Sequence, residues 1–252
     1  MKKQKMRFGF TLAEGAAHVD LPQTIAHFGF TLAETLITLG IIGVVAAITI
    51  PNLITNYQKH VTVTKLQKAI SVLNQAYKLS YDDVGEPSVS ESFKMGSELY
   101  FNHYWAPYLK TAIICTTYKQ CRYKNNNPWF YPNKTTVNMG VVVPERRTTF
   151  YTSDGFLYVI FIAMGSSTAE SGEEQNGSVI VDINGAEGPN VFGRDVFYLT
   201  RVAKDGGGIQ PLGYTYSNDI IDENCNKSGR GFYCAEKIRR AGWKIEKDYP
   251  WK

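Results

Sequence analysis

Four cysteines are the side chains of this 252-residue chain most plainly equipped for covalent chemistry. Cys115 and Cys121 have five residues between them, and Cys225 and Cys234 have eight. An even number of cysteines indicates disulfides where a domain faces an oxidising compartment, which the apolar segment described below implies. Zinc is the competing interpretation, but both spacings are too long for its usual ligand pairs, and no histidine lies near either. We predict the disulfides Cys115–Cys121 and Cys225–Cys234.

Oxygen-bearing side chains gather in residues 182–195, between two predicted strands. Asp182, Asn184 and Asp195 are the calcium candidates in this loop. Their spacing differs from that of the helix-flanked calcium loop, and clusters of Asp, Asn, Gly and Pro most often form turns. We therefore predict no resident metal or cofactor.

Catalytic arrangements are not evident in the sequence. The four histidines are His18, His27, His60 and His103, and none stands beside a nucleophile in a recognisable pattern. The glycines at 206–208 lack the Lys-Ser/Thr that follows in a phosphate-binding loop. The 27 Lys plus Arg nearly balance the 23 Asp plus Glu, which argues against a nucleic-acid binder. We predict a protein that is not an enzyme.

One apolar segment dominates the first fifth of the chain. No charged residue occurs between Glu34 and Lys59. As a helix, residues 30–50 would be about 30 Å long, the thickness of the hydrocarbon core of a bilayer. A basic leader precedes the segment, with Lys2, Lys3, Lys5 and Arg7. The segment can span a membrane, and the leader predicts that the N-terminus is cytoplasmic.

The junction before this segment reads Gly29-Phe30-Thr31-Leu32-Ala33-Glu34. It resembles the prepilin leader of type IV pilins and of the pseudopilins of type II secretion systems. The family's proline at the 22nd mature residue falls on Pro51. The resemblance implies that prepilin peptidase removes residues 1–29 by cutting after Gly29, that the new amine of Phe30 is methylated, and that the apolar helix is retained. Some pseudopilins also hold calcium on a loop near the sheet.

Glu34 is a carboxylate in an otherwise apolar segment, which costs about 3 kcal/mol even on mild insertion scales. The resemblance implies that it pairs with the amine of Phe30 in a neighbouring subunit and sets the axial register of a filament. The alternative is that Glu34 lies close enough to the interface to stay hydrated by reaching outward.

Small residues recur along the same segment at helical spacing: Gly40, Gly43, Ala46 and Ala47. Such a strip lets helices approach each other closely in a membrane. Pro51 removes one backbone donor and obstructs a carbonyl one turn earlier, so we predict a kink or a locally melted turn at residues 47–52.

The junction motif occurs twice, because residues 8–14 are identical to residues 28–34. The first copy is followed by a polar stretch, whereas the second continues into the apolar helix. Cleavage after Gly9 would leave about twenty residues ahead of the membrane helix and place the new amine in an irregular tail. We therefore place processing at Gly29.

Beyond Pro51 the apolar residues continue at three- and four-residue spacing, which predicts an amphipathic continuation of the same helix to about residue 80. The predicted stripe is Leu53, Tyr57, Val61, Leu66, Ile70, Leu73 and Tyr77. The predicted organisation is a cleaved leader (1–29), a transmembrane half-helix (30–52), an amphipathic half-helix (53–82) and a globular domain with two disulfide loops (83–252).

Residues 97–109 are predicted to be helical, and residues 124–134 form a polar, aromatic and proline-interrupted loop. Strand patterns follow at residues 148–152, 156–162, 178–183 and 195–200, the first two joined by a turn at 153–155. The economical assembly is an antiparallel sheet of three or four strands. The fold class is therefore α+β, with a long N-terminal helix packed on a small antiparallel sheet, which is the pilin architecture.

These features predict a structural subunit of a type IV pilus-like or type II secretion pseudopilus filament. Its partners would be copies of itself or related pilins, prepilin peptidase, membrane lipid and the assembly machinery of the inner membrane. It would be a single-pass membrane protein with an extracytoplasmic domain, later part of a surface or periplasm-spanning filament. One alternative is a surface or filament-tip adhesion module that uses Trp129, Phe130 and Tyr131. Another is a secreted soluble protein cut after Ala47.

Overall fold

A computed structural model describes residues 31–85, 94–110, 112–162, 173–202 and 207–251. The predicted processing residues Gly29 and Phe30 and the first motif copy at residues 8–14 lie outside these ranges. The chain divides into two units, residues 1–50 and 51–252. Each is described by itself.

Helix α1 spans Leu32–Val84, close to the predicted range. The residue after its last turn, Gly85, has a φ of +75°, the left-handed conformation that commonly terminates helices. The helix continues through Pro51, so the melted turn predicted at residues 47–52 is wrong. Proline costs one backbone hydrogen bond and has a helical φ, and the bonds of the flanking turns keep the helix intact. A kink in the unbroken helix stays a prediction.

The part of α1 in the second unit buries one stripe of side chains: Thr62, Val63, Leu66, Ala69, Ile70, Leu73, Ala76 and Ser80. Leu66, Ile70 and Leu73 are on the predicted stripe, which is confirmed for this stretch. The prediction is wrong at Leu53 and Tyr57, which are 70% and 67% exposed. Helical spacing shows that apolar residues share a face but does not show what covers that face.

In the part of the chain that the structure describes, six strands form one antiparallel sheet in the order β1 to β6, two or three more than predicted. They are β1 (Ile113–Ile114), β2 (Arg147–Tyr151), β3 (Leu157–Phe161), β4 (Glu173–Asp182), β5 (Val196–Val202) and β6 (Ile209–Pro211). The predicted hairpin is present, with Thr149 opposite Val159. Gly155 in its turn has a φ of +83°, which favours glycine. The missed strands are the two short outer ones, β1 and β6.

Both faces of this sheet are covered, which explains why every residue of β3 is buried. Tyr158 and Ile160 join the core that contains the buried stripe of α1. Val159 and Phe161 point to the opposite face and join a second core built with residues 115–142. Successive side chains of the strand therefore point alternately into two apolar cores, and not alternately into one core and solvent.

Asn74 of α1 joins the helix to the outer strand β6. Its Nδ2 donates to the carbonyl oxygen of Ile209 at 2.8 Å, and its Oδ1 accepts the N–H of Ile209, also at 2.8 Å. The side-chain amide therefore bonds the outer strand as a neighbouring strand would. This contact occupies backbone groups that an edge strand otherwise leaves unpaired.

The remaining helices are short. The predicted helical stretch at residues 97–109 contains α2 (Ser97–Tyr104) and a 3-10 turn (Ala106–Tyr108). Near the C-terminus lie α3 (Asn218–Asn224) and α4 (Cys234–Arg240). The fold class is α+β, with a long N-terminal helix and an antiparallel sheet.

Candidate functional site

The first candidate site is the apolar surface of α1 up to residue 50. By length and composition alone, this is a helix that could cross a membrane. Its large apolar side chains are exposed in this unit: Leu32, Leu36, Ile37, Leu39, Ile41, Ile42, Val44, Val45, Ile48 and Ile50. An apolar surface of this size needs lipid or protein around it.

Glu34 forms a capping box with Thr31 at the start of α1. The N–H and the hydroxyl of Thr31 both donate to Glu34 Oε2 at 2.8 Å, and the N–H of Glu34 donates to Thr31 Oγ1 at 3.2 Å. This reciprocal bonding satisfies backbone donors that a helix start leaves unpaired. Glu34 therefore has a local role in starting the helix, in addition to the register role that stays a prediction.

The sequence contains the signal for this cap, because Thr-x-x-Glu before an apolar run is the capping-box pattern. Thr31 is thus a site residue that motif matching alone passed over. Only Oε2 of Glu34 is engaged by the residues that the structure describes. Its Oε1 is left to accept a further donor, such as an amine.

The predicted strip of small residues lies open along α1. Gly40, Gly43 and Ala47 are exposed and Ala46 is half-buried. A Cβ placed on Gly40 or Gly43 would meet no atom within 4 Å. These positions can therefore accept the close approach of another helix.

Both predicted disulfides are present in the globular unit. Cys115 and Cys121 are bonded in the segment that packs on the second core, and Cys225 and Cys234 join α3 to α4. All four side chains are buried. Cys234 also lies against Gly193, where a Cβ would come within 2.7 Å of its Sγ. The second bridge therefore fixes the C-terminal helices against the loop before β5.

The double variant Cys225→Ala/Cys234→Ala should lower the free energy of unfolding by about 2.5 kcal/mol, since the unfolded chain regains the entropy of a closed loop of roughly ten residues. The measurement is urea unfolding of the processed chain in mild detergent without reductant. Cys115→Ala/Cys121→Ala is the matched comparison and should lose a similar amount. Unchanged midpoints in both variants would contradict a stabilising role for the bridges.

The structure gives protein partners to the oxygens of Asp182 and Asp195, whereas Asn184 Oδ1 is buried and accepts no hydrogen bond from the described residues. Asp182 Oδ2 accepts the hydroxyl of Tyr123 at 2.7 Å, and the two oxygens of Asp195 accept the N–H groups of Asn190 and Val191 at 2.8 and 2.7 Å. Asn184 Nδ2 donates to loop carbonyls. Within the described residues, no group of three or more His, Cys, Asp or Glu side chains could hold a metal. The two aspartates therefore shape the loop through these hydrogen bonds, and the expected absence of a resident metal stays a prediction.

Asp182 is fully buried, and burial together with the charge of Asp195 raises its pKa well above the ordinary value, despite hydrogen bonds from Tyr123 and Asn184. The folded chain therefore holds this proton more tightly than the unfolded chain does. The contribution of Asp182 to stability therefore falls as the pH rises from about 4, the ordinary pKa, to the raised pKa of the folded state.

Asp182→Asn should remove this part of the pH dependence. Asparagine does not titrate, so the unfolding free energy of the variant minus that of wild type should increase as the pH rises through that window, by up to about 1.4 kcal/mol per pH unit. The Tm difference should increase in the same direction. Thermal unfolding measured across the window gives the difference. Glu223→Gln, at an exposed position of α3, is the control and should give a curve parallel to wild type. A parallel curve for Asp182→Asn would contradict the prediction.

The aromatic patch predicted at residues 129–131 is corrected by the structure. Trp129 is fully buried in the second core, in edge contact with Phe192 at a ring distance of 5.9 Å. Phe130 and Tyr131 are half-buried. The loop folds onto the sheet and uses its largest aromatic for packing, so Trp129 is not a contact residue.

Comparison with known proteins bears on the second unit. Residues 52–156 match the model of a family described as a family of unknown function (DUF6613). The matched range is less than half of the chain and begins after the apolar half of α1, so it gives no information on the processing motif. No curated protein and no solved structure matches the chain.

Proposed function

We propose that this chain is a filament subunit of the type IV pilin or type II secretion pseudopilin kind. Prepilin peptidase would cut after Gly29, and the retained helix would anchor the chain in the inner membrane with its extracytoplasmic domain outside. The assembly machinery would then draw subunits from the membrane so that their helices pack together. The proposed role is structural, not catalytic.

One observation carries the proposal. Within α1, residues up to 50 expose an almost unbroken apolar surface, whereas residues from 62 to 80 bury a stripe in the core of an antiparallel-sheet domain. A helix used for both purposes suits a subunit that first needs lipid and later needs the helices of other subunits. The capping box at Glu34 and the open strip at Gly40 and Gly43 agree with this use.

The secreted alternative predicts cleavage after Ala47, which would discard most of the apolar surface. It would leave Ile48, Ile50, Leu53 and Tyr57 exposed at the new N-terminus. The adhesion alternative loses one predicted contact residue, because Trp129 is buried.

The test is to determine the N-terminus of the processed chain by mass spectrometry and to image sheared surface appendages with an antibody to the globular domain. We expect a chain that begins at methylated Phe30 and antibody label along filaments. A start at Ile48 would favour secretion and overturn the proposal. A start at Phe30 with label on the cell surface alone, and none on filaments, would favour the adhesion module.

A further inference from the structure

A cleft with aromatic walls and two cations lies in the globular unit. It measures about 380 Å³, and Phe130, Pro189 and Trp251 form part of its wall. Lys134 and Arg194 supply the charge, with the Arg194 guanidinium 5.6 Å from the ring centre of Trp251. Of the described residues that line this cleft, none carries a carboxylate, and neither cation has an ion-pair partner among the described residues. The cleft therefore suits an anion attached to an apolar body.

A second cleft, of about 270 Å³, continues this surface. It shares Pro189, Arg194 and Trp251 with the first and extends to Tyr57 and Lys65 of α1. Its one carboxylate, Asp195, accepts backbone N–H groups through both oxygens. We call the joined pair the basic cleft. Asp195 attracts Arg194 electrostatically, so the three lining cations, Lys65, Lys134 and Arg194, exceed the one described lining carboxylate by two.

The basic cleft reaches the part of α1 where the charge-free segment ends. Tyr57 lies two residues before Lys59, the first charged residue after Glu34, so the sequence places it near the boundary between lipid and water. Tyr and Trp side chains favour this boundary, and anionic headgroups attract basic residues there. From Lys59 to Lys65 the helix rises only about 9 Å.

We propose that the basic cleft binds the headgroup of an anionic phospholipid. The inference rests on the proposed membrane anchoring of the chain. Lys134 and Arg194 bind the headgroup phosphate, and the half-buried ring of Phe130 packs against the apolar part of the lipid. The bound lipid would hold the globular domain on the bilayer surface before assembly, and drawing the subunit into a filament would release it.

The test uses the full processed chain in detergent micelles with equal amounts of phosphatidylglycerol and phosphatidylcholine, and native mass spectrometry counts the bound lipids. Wild type should retain phosphatidylglycerol about tenfold over phosphatidylcholine. Lys134→Gln/Arg194→Gln should reduce the ratio to near one. Lys119→Gln/Arg146→Gln removes the same charge from exposed positions outside the cleft and should keep the wild-type preference.

A thermal-shift arm with inorganic phosphate separates a lipid from a free anion. Millimolar phosphate should leave the Tm of wild type unchanged. A rise that is lost in Lys134→Gln/Arg194→Gln, without any lipid preference, would assign the cleft to a soluble anion and overturn the proposal. An equal preference in wild type and the cleft variant would overturn it as well.

These outcomes are distinguishable from failure of the filament proposal. An anchored chain that starts at Phe30 but shows no lipid preference overturns only the lipid site. A chain that starts at Ile48 overturns the filament proposal, and with it the anchoring that the lipid site requires.

Discussion

Glu34→Gln should abolish filament assembly while leaving processing and membrane insertion intact. Glutamine at this position can still accept the hydrogen bonds of Thr31, so the start of α1 should be kept. What the variant loses is the negative charge that the filament proposal pairs with the amine of Phe30. Removing one partner of a buried ion pair costs about 3–5 kcal/mol, which lowers the association constant of that interface by roughly 100-fold or more.

The measurement is the amount of this chain in the sheared-appendage fraction relative to the membrane fraction, with the N-terminus checked by mass spectrometry. Thr31→Val is the matched control because it removes the capping hydroxyl and keeps the carboxylate. It should cost about 1 kcal/mol of helix stability and leave most assembly in place. Equal failure of both variants would show that assembly depends on any change at the start of α1, and would contradict a specific register role for the charge of Glu34. If Glu34→Gln assembles like wild type, the register pair does not exist.

The sequence predicted the extent of α1 well because its signals are local. Three- and four-residue spacing marks the helix, and Gly85 marks its end. The identity of the surface that packs against each stretch is a tertiary property, which is why the predicted stripe is correct at Leu66 and wrong at Leu53. The cap at Thr31 was readable from the sequence, although the family motif drew the interpretation toward Glu34 alone.

The outer strands were missed for a different reason. Strand β1 has two residues and β6 has three, the last of them Pro211, so neither can show an alternating pattern. They exist because β2 and β5 offer unpaired backbone groups and because Asn74 bonds Ile209 from the helix side. Long-range pairing of this kind leaves no periodic trace in the sequence.

The sequence also did not predict which loop side chains are buried. Trp129 lies in a polar, proline-interrupted segment and was expected at the surface. The sheet, however, is apolar on both faces, and residues 115–142 cover the second face. The carboxylates of residues 182–195 were correctly grouped in one loop. Their hydrogen-bond partners, Tyr123 and the N–H groups of Asn190 and Val191, come within reach only when the loop folds. The two disulfides could be predicted from the sequence because the cysteines of each pair are close together in the chain.

Leu66→Ala should destabilise the globular domain by about 3–5 kcal/mol, the cost of a cavity at a well-packed leucine. Leu66 has no exposed surface and belongs to the core shared by α1 and the sheet. Urea unfolding of the processed chain in mild detergent measures the loss. Trp105, which lies in the same core, contributes to the fluorescence signal.

Leu53→Ala is the matched control on the same helix, at a side chain that is 70% exposed. It should change the free energy of unfolding by less than about 0.5 kcal/mol, because no core surrounds it. If the exposed part of α1 packs against other subunits, Leu53→Ala should reduce the amount of filament although it leaves the stability of the domain unchanged. A loss of stability comparable to that of Leu66→Ala would mean that Leu53 packs against its own domain. The surface that the filament proposal assigns to neighbouring subunits would then already be occupied there.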